Sequence, residues 1–370
     1  MTRNATNKYM HKAKKSKSDE FYTLFSDIQK EVEAYLEYNP DVFRNKVVYC
    51  NCDDPYESNF FRYFALNFNR LGLKQLITTS YKTSPVANTQ LELFGDEVDF
   101  PDSTDEADGI ANRVIINEVG DIDGDGEFNL NDVALQLKKN KNNEWVPLEG
   151  DGDFRSEESI ALLEKSDIVV TNPPFSLFRE YVKQLIDYDK KFLIIGNINA
   201  ISYKEIFPLI KQNRSWLGTG MGRWISGFIV PESYELYGSE ARTTEDGKRI
   251  VSTNNCLWLT NLDHGKRHQK LPLMTMSDNI KFSTHKNIKG VGYQKYDNYD
   301  AIEVPFTDAI PSDYDGVMGV PITFLDKYNP DQFEIVGCMT TTKKTEYNYG
   351  YPYVNGKKKY ARILIRKRGV

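Results

Sequence analysis

The chain has 370 residues, of which 40% are apolar and 13% aromatic, and a formal net charge of −6. That suffices for one large or two smaller domains with a sizeable core, and no apolar run approaches the roughly 20 residues that span a bilayer, which argues against a membrane protein. The charge is unevenly spread: Asp96 to Asp153 holds 17 acids and 4 bases, so the total divides into −13 there and +7 elsewhere.

The N-terminal stretch is basic. Arg3, Lys8, Lys12, Lys14, Lys15 and Lys17 precede the first carboxylate, Asp19, without the apolar core of a secretory signal. Residues 20–38 read as an amphipathic helix, with Phe21, Leu24, Phe25, Ile28, Val32 and Tyr35 at helical spacing. Ser18 or Asp19 suits its N-cap. Residues 46–50 form a short buried strand that runs into a polar turn. There Asn51, Asp53 and Asp54 can serve an ammonium group and ribose hydroxyls through side chains, the competing reading being an Asx-rich surface turn. The turn lacks a Gly-rich phosphate loop. Cys50 and Cys52 make a lone C-x-C, and with Cys256 and Cys338 they read as buried thiols in a reducing cytoplasm. A helix rich in Phe and Tyr follows over 59–69, then a strand over 74–81.

Residues 82–151 turn polar and acidic and read as an insertion. Within it Asp121, Asp123, Asp125 and Asp132 stand at positions 1, 3, 5 and 12 of a loop with Gly126 at position 6. This is the spacing of a calcium loop, in which oxygens converge at about 2.3–2.6 Å. An Asp/Gly-rich solvent loop is the other reading. The exiting helix, 133–138, is plausible; 113–119 looks like a strand rather than an entering helix. Next, Asp153 can accept from the exocyclic amine of an adenine and Phe154 can stack on the ring, the bland alternative being a Gly turn before a helix over 156–165.

A strand over 167–171 ends in Asn172, Pro173, Pro174 and Phe175. Asn-Pro and Pro-Pro also mark ordinary turns, but this turn lies at a strand's carboxyl end, where open α/β sheets bind ligands. The Asn side-chain carbonyl can accept one hydrogen of an amino group conjugated to a ring. The carbonyl side of the first Pro, presented on a stiff backbone, can accept the other. Two acceptors pull the nitrogen toward tetrahedral geometry and localise its lone pair for attack on a methyl sulfonium, while Phe175 offers a stacking face to an extruded base. A helix over 176–188, a strand over 191–198 and a helix over 202–212 follow. Strands alternating with helices predict a parallel sheet.

From about residue 214 short strand-like runs at 227–230 and 256–261 lie among Gly, Pro, Tyr and basic residues, so a second, less regular domain is expected over 214–370 after a catalytic domain over 1–213. His11, His264, His268 and His285 form no ligand or triad spacing and read as surface residues. After Glu346 come Lys357, Lys358, Lys359, Arg362, Arg366, Lys367 and Arg368 without an acid. The basic ends are either solvated surface or phosphate contacts, and the motif at 172–175 favours phosphate.

These stretches carry a resemblance that spans nearly the whole chain: RNATNK at 3–8, HKAKKSKSDEFYT at 11–23, KVVYCNCDDP at 46–55, GDGDFRS at 150–156, SDIVVTNPPFSLF at 166–178, GFIVPE at 227–232, NNCLWLTNLD at 254–263 and YDGVMGVPITF at 314–324. The chain resembles the EcoRI modification methylase family of DNA adenine-N6 methyltransferases. The resemblance implies an α/β fold with a Rossmann-like, S-adenosylmethionine-dependent sheet and a C-terminal target-recognition region. It implies a cytoplasmic monomer acting on double-stranded DNA, compatible with a cognate restriction nuclease but without a stable complex. It assigns catalysis to Asn172, Pro173, Pro174 and Phe175 and cofactor contacts to Phe21, Tyr22, Thr23, Asn51, Cys52, Asp53, Asp54, Asp153 and Phe154. Lys12, Lys14, Lys15 and Arg223 are expected DNA contacts. The acidic segment with its calcium-like loop and part of 333–350 are taken to depart from the family's pattern. An RNA or protein amino-group methyltransferase, or a catalytically silent DNA-binding module, are the alternatives.

Overall fold

The computed structural model describes residues 22–53, 58–80, 111–122, 129–139, 142–221, 225–230, 241–244, 247, 249–252 and 255–369. The elements begin with β1 (Tyr22–Thr23), α1 (Phe25–Tyr38), β2 (Val47–Cys50), α2 (Asn59–Leu66), α3 (Phe68–Leu71), β3 (Gln75–Thr79), β4 (Asn112–Ile116), α4 (Leu130–Lys139) and β5 (Glu144–Pro147). They continue with α5 (Glu157–Lys165), β6 (Ile168–Thr171), α6 (Phe178–Asp187), β7 (Lys191–Asn197), α7 (Phe207–Lys211), β8 (Trp216–Met221), β9 (Phe228–Val230), β10 (Ala241–Thr243), β11 (Arg249–Val251) and β12 (Cys256–Thr260). Packing of Cα atoms divides the chain at points other than 213/214. One unit is Met1–Ile198 with Gly220–Leu262, the other Asn199–Thr219 with Asp263–Val370. Strand β8 carries the chain from the second unit back into the first.

In the first unit the main sheet runs in the order β5-β4-β3-β2-β6-β7-β12. Its centre is parallel: β3 on β2, β2 on β6, β6 on β7. All residues of β2 and β6 are buried, the pattern of strands covered on both faces. The flanks are antiparallel, β4 against β3, β5 against β4 and β12 against β7, so the sheet is mixed rather than parallel throughout. The segment expected to be an insertion therefore supplies two strands of this sheet, and Val114 and Ile116 of β4 belong to the core. Helix α6 lies within the helix expected over 176–188, and Phe178, Tyr181, Val182 and Leu185 form its buried face, each such side chain contributing about 1.5–3 kcal/mol relative to exposure.

Three expected elements differ in extent. The helix expected over 20–38 starts at Phe25, because Tyr22 and Thr23 pair instead with Ile229 and Phe228 of β9 in a four-stranded antiparallel sheet of order β1-β9-β11-β10. The helix expected over 59–69 breaks at Asn67, whose Nδ2 bonds back to the Tyr63 carbonyl at 2.8 Å, local competition typical of Asn. The helix expected over 202–212 starts only at Phe207, with Pro208 in its first turn, the place where a missing N–H costs nothing. Buried carboxylates on α1 hold a distant segment: Asp27 accepts from Ser226 N and Oγ at 2.7 and 2.8 Å, and Glu31 accepts from Gly220 N at 2.9 Å. Burial raises the Asp27 pKa, and the Ser226 bonds oppose that rise.

The second unit contains α8 (Met276–Phe282), β13 (Gln294–Lys295), β14 (Ile302–Glu303), β15 (Met318–Pro321), β16 (Phe333–Met339), β17 (Tyr353–Val354), β18 (Lys357–Lys358) and β19 (Arg362–Lys367). A five-stranded sheet of order β13-β14-β15-β19-β16 is joined by the two-stranded β17–β18 hairpin. Arg362 and Glu303 form a buried ion pair at 2.5 Å, and the Tyr296 hydroxyl donates to the same carboxylate. His264 lies in this unit and corrects the surface reading: it is buried, with Nε2 2.9 Å from the Leu217 carbonyl. Burial holds its pKa down at about 4. Among the described residues no helix is long and apolar enough to cross a membrane.

Candidate active site

The carboxyl ends of β2 and β6 lie side by side, and residues 51–53 and 172–175 leave them together. After Thr171, the turn of Asn172, Pro173, Pro174 and Phe175 closes with Leu177 N donating to the Pro174 carbonyl at 3.0 Å. Helix α6 then begins. Its first residue, Phe178, packs over Gly196 of β7 so closely that a Cβ there would stand 2.5 Å from the ring. The absent side chain at Gly196 thus fixes where α6 starts and where the turn before it lies.

Two hydrogen bonds lock the loop after β2 to the β6–turn–α6 segment. Thr171 Oγ1 donates to Asp53 Oδ2 at 2.5 Å, and the Tyr181 hydroxyl donates to Asn51 Oδ1. The other Asp53 oxygen accepts from Ser58 Oγ at 2.8 Å. Ser58 in turn caps α2 by accepting from Phe60 N and Phe61 N. The Asp53 backbone carbonyl accepts from Thr78 Oγ1 at 2.7 Å. Asp53, expected as a cofactor contact, is thus a buried junction of β2, β3, β6 and α2. Asn51 is buried too. With Oδ1 engaged by Tyr181, its buried Nδ2 meets no hydrogen-bond partner among the described residues. Cys52 is half-buried, its Sγ 3.8 Å from Asn51 Oδ1.

Gly152 delivers Asp153 and Phe154 to the same edge. Its φ is +77°, and a Cβ would meet the Ser80 carbonyl at 1.9 Å, so only glycine fits. The Asp153 carboxylate lies against Arg155, with Nη2 2.6 Å and Nε 2.8 Å away. The hydrogen bond from that guanidinium is the main cause that holds the Asp153 pKa below the usual carboxylate range, against the opposing effect of burial. Arg155 also reaches Glu180 of α6 at 3.0 Å. Phe154 is buried and packs edge-on against Tyr181, ring centroids 5.0 Å apart. It therefore backs the hydroxyl that orients Asn51.

The Phe175 ring stands T-shaped to Phe228 at 6.4 Å. Phe228 pairs with Thr23 in the β1–β9 ladder, and Asn59 Nδ2 donates to the Thr23 carbonyl at 2.7 Å. Tyr22 and Thr23 thereby join the motif turn at one edge, and the buried Thr23 Oγ1 has no hydrogen-bond partner among the described residues. Phe21, Asp54, Lys12, Lys14, Lys15 and Arg223 lie outside the described residues. Tyr181, Ser58, Thr171 and Phe228 were not singled out from the sequence as site residues. Ser58 carried a signal, a serine before an aromatic helix; Tyr181 carried none beyond its place in a helix.

Two other places on the first unit are not part of this site. A cavity of about 460 Å³, lined in part by Asn39, Lys46, Asp167 and Lys190, lies at the amino ends of β2, β6 and β7. The expected calcium loop is not supported. Asp132 Oδ1 and Oδ2 accept from Ile122 N and Asn129 N, each at 2.8 Å, so its carboxylate organises backbone at the start of α4. Asp121 is exposed, Asp123 and Asp125 lie outside the described residues, and among the described residues no cluster of three or more His, Cys, Asp or Glu is poised for a metal.

The family described as "Adenine-specific methyltransferase EcoRI" matches residues 9–368. The chain is 52% identical over 368 residues to the Type II methyltransferase M.EcoRI of Escherichia coli, covering 100% of this chain and 99% of that protein. It is 34% identical over 373 residues to the Type II methyltransferase M.MpnI of Mycoplasma pneumoniae, covering 97% and 98%. No solved structure matches.

Proposed function

The chain belongs to the EcoRI family of adenine-specific methyltransferases and is an S-adenosylmethionine-dependent, site-specific DNA adenine methyltransferase, and from that premise we propose how its residues divide the work. The observation that carries the proposal is the junction of the two loops: Tyr181–Asn51 and Thr171–Asp53 bind the turn at 172–175 to the loop at 51–53.

Asn172 and Pro173 are the acceptors for the target amine. The Asn172 side-chain carbonyl and the Pro173 carbonyl each take one N–H of the adenine amino group, which localises the nitrogen lone pair. This interaction grows toward the transition state, the condition for it to raise the rate. The base must first leave the duplex stack, at an unstacking cost of about a few kcal/mol. Phe175, braced by Phe228, offers it a ring face, with Pro174 closing the turn.

The residues around the junction suit S-adenosylmethionine. When bound, it supplies an electrophilic methyl group. Asn51 offers a buried donor to an acceptor oxygen of the cofactor, Thr23 a buried hydroxyl, and Asp153 the acceptor capacity that Arg155 leaves on its carboxylate. Tyr22, Cys52 and Phe154 shape the surroundings, and Phe21 and Asp54 are assigned there on the family pattern. Asp53 acts by holding the loop rather than by touching the cofactor. Calcium has no part in this scheme.

The first unit is a Rossmann-like catalytic domain. The second contributes target recognition, and the basic ends, with Lys12, Lys14, Lys15 and Arg223, add phosphate contacts. The enzyme works as a cytoplasmic monomer in a restriction–modification setting, without a stable complex with a nuclease. The test is methyl transfer from labelled cofactor to duplex DNA, tRNA and protein in parallel, followed by sequencing of methylated adenines. Label confined to adenines of one duplex sequence is expected. Label in tRNA or protein alone would overturn the reading.

A further inference from the structure

The basic run near the C-terminus is not uniform in the folded protein. Arg362 is buried on Glu303, Arg366 pairs with Glu334 at 3.0 Å and Lys367 lies 3.7 Å from Asp315. Lys357, Lys358 and Lys359 form no ion pair with a described acid. Lys357 and Lys358 are exposed on β18, and no acidic residue occurs between 347 and 370. Arg368 is exposed as well, its Nε donating to the Phe333 carbonyl at 3.3 Å, so the largest group of cations in this run without an acidic partner is the one on and just after the β17–β18 hairpin.

That hairpin is built to hold its shape. Tyr353 pairs with Lys358 and Val354 with Lys357. Asn355 and Gly356 between them have φ of 50° and 70°, the two positive values of a type I′ turn, whose twist matches that of the strands. Asp297 accepts the N–H groups of both turn residues at 2.9 and 2.7 Å, which partly offsets its own negative charge beside the lysines. Val354 is buried in the core of the second unit with Tyr296 and Leu364. Lys358 Nζ sits 3.3 Å above the Tyr351 ring. Beyond the hairpin Tyr360 is 78% exposed, a large ring left in water next to three lysines.

We propose that this hairpin, with Tyr360, is a DNA-contacting ribbon of the second unit: Lys357 and Lys358 engage backbone phosphates, and the Tyr360 ring lies against a sugar or base edge. The inference rests on the DNA-methyltransferase assignment above. A two-stranded ribbon fits the major groove, about 12 Å wide. A ribbon already fixed by its turn, by Asp297 and by Val354 loses little freedom on binding. Exposed rings interleaved with cations are the usual composition of nucleic-acid platforms.

The test uses the full chain and a labelled duplex carrying the sequence in which the unaltered protein methylates adenine. Binding is followed by anisotropy across salt concentrations. Lys357→Gln with Lys358→Gln should lower the slope of log affinity against log salt by about 1.8, at about 0.9 per phosphate contact. Tyr360→Ala should weaken binding without changing that slope. A charge-matched control, Lys286→Gln with Lys289→Gln, removes two exposed lysines elsewhere in the same unit and should leave the slope as it was. Cofactor affinity by calorimetry should stay unchanged in every variant, which separates a lost contact from a lost fold. A parental slope in the hairpin variant, or an equal loss in the control, overturns the hairpin assignment while methylation by the unaltered protein stands. Failure of the unaltered protein to methylate any duplex overturns both.

Discussion

The Tyr181 hydroxyl donates to Asn51 Oδ1 across 130 positions of sequence. Burial pushes the Tyr181 pKa well above that of a free phenol, so the group stays a donor throughout the working range of pH. With its oxygen accepting from Tyr181, the Asn51 amide keeps a buried Nδ2 that meets no hydrogen-bond partner among the described residues.

Tyr181→Phe keeps the ring that packs on Phe154 and removes the hydrogen bond to Asn51. One neutral hydrogen bond is worth about 0.5–1.5 kcal/mol, so the dissociation constant for S-adenosylmethionine should rise by about two- to tenfold. Calorimetry with the cofactor alone reads this without turnover. An unchanged constant would sink the role given to Tyr181.

Asn172→Ala should abolish methyl transfer and leave cofactor binding nearly as in the parent, because the lost acceptor acts on the target amine. Single-turnover transfer and cofactor calorimetry on the same preparation check the two halves. Activity near the parental level would remove Asn172 from catalysis.

Gly196→Ala places a methyl group against the Phe178 ring. Overpacking of this kind costs about 1–3 kcal/mol, and the strain falls on the helix that carries Tyr181. Chemical denaturation should show the loss, and methyl transfer should fall with it. Pairing the change with Phe178→Leu should restore part of both, whereas no recovery would mean that the two residues are not in contact.

His264 gives a pH dependence with a defined sign. Its pKa is about 4 in the folded chain, against 6.5 ordinarily. Below pH 6.5 the unfolded chain takes up a proton that the folded one refuses, so this contribution to stability declines as the pH falls toward 4 and then levels off. Between pH 6.5 and 5 the loss is about 1.6 kcal/mol. Denaturation midpoints over that range should drop less steeply in His264→Leu. Parallel curves for parent and variant would place the acid sensitivity elsewhere.

How far these features were legible in the sequence depended on the range of the interaction that sets them. The position of Asn172 at a strand's carboxyl end followed from an apolar run stopped by two prolines, all within ten residues. The presence of α6 after that turn was legible too. The roles of the residues on its buried face were not. Tyr181 looks like any core aromatic until Asn51 is placed beside it, and Asp53 looks like a surface carboxylate until Ser58 and Thr171 close on it. The same holds for β1, a two-residue strand with no local pattern, and for His264, whose burial depends on a carbonyl at Leu217. The acidic segment hid its strands in another way. Its composition is polar on average, but β4 needs only Val114 and Ile116 to enter the core.

The ladder between β1 and β9, together with the grip of Asp27 on Ser226, ties the start of the chain to residues 226–229. A ribosome works from one end, so Tyr22, Thr23 and the buried carboxylates of α1 wait for most of the first unit before their partners exist. Contacts of such long separation form late and slowly. The nascent polypeptide consequently cannot close the β1–β9 edge until residues 226–229 have emerged.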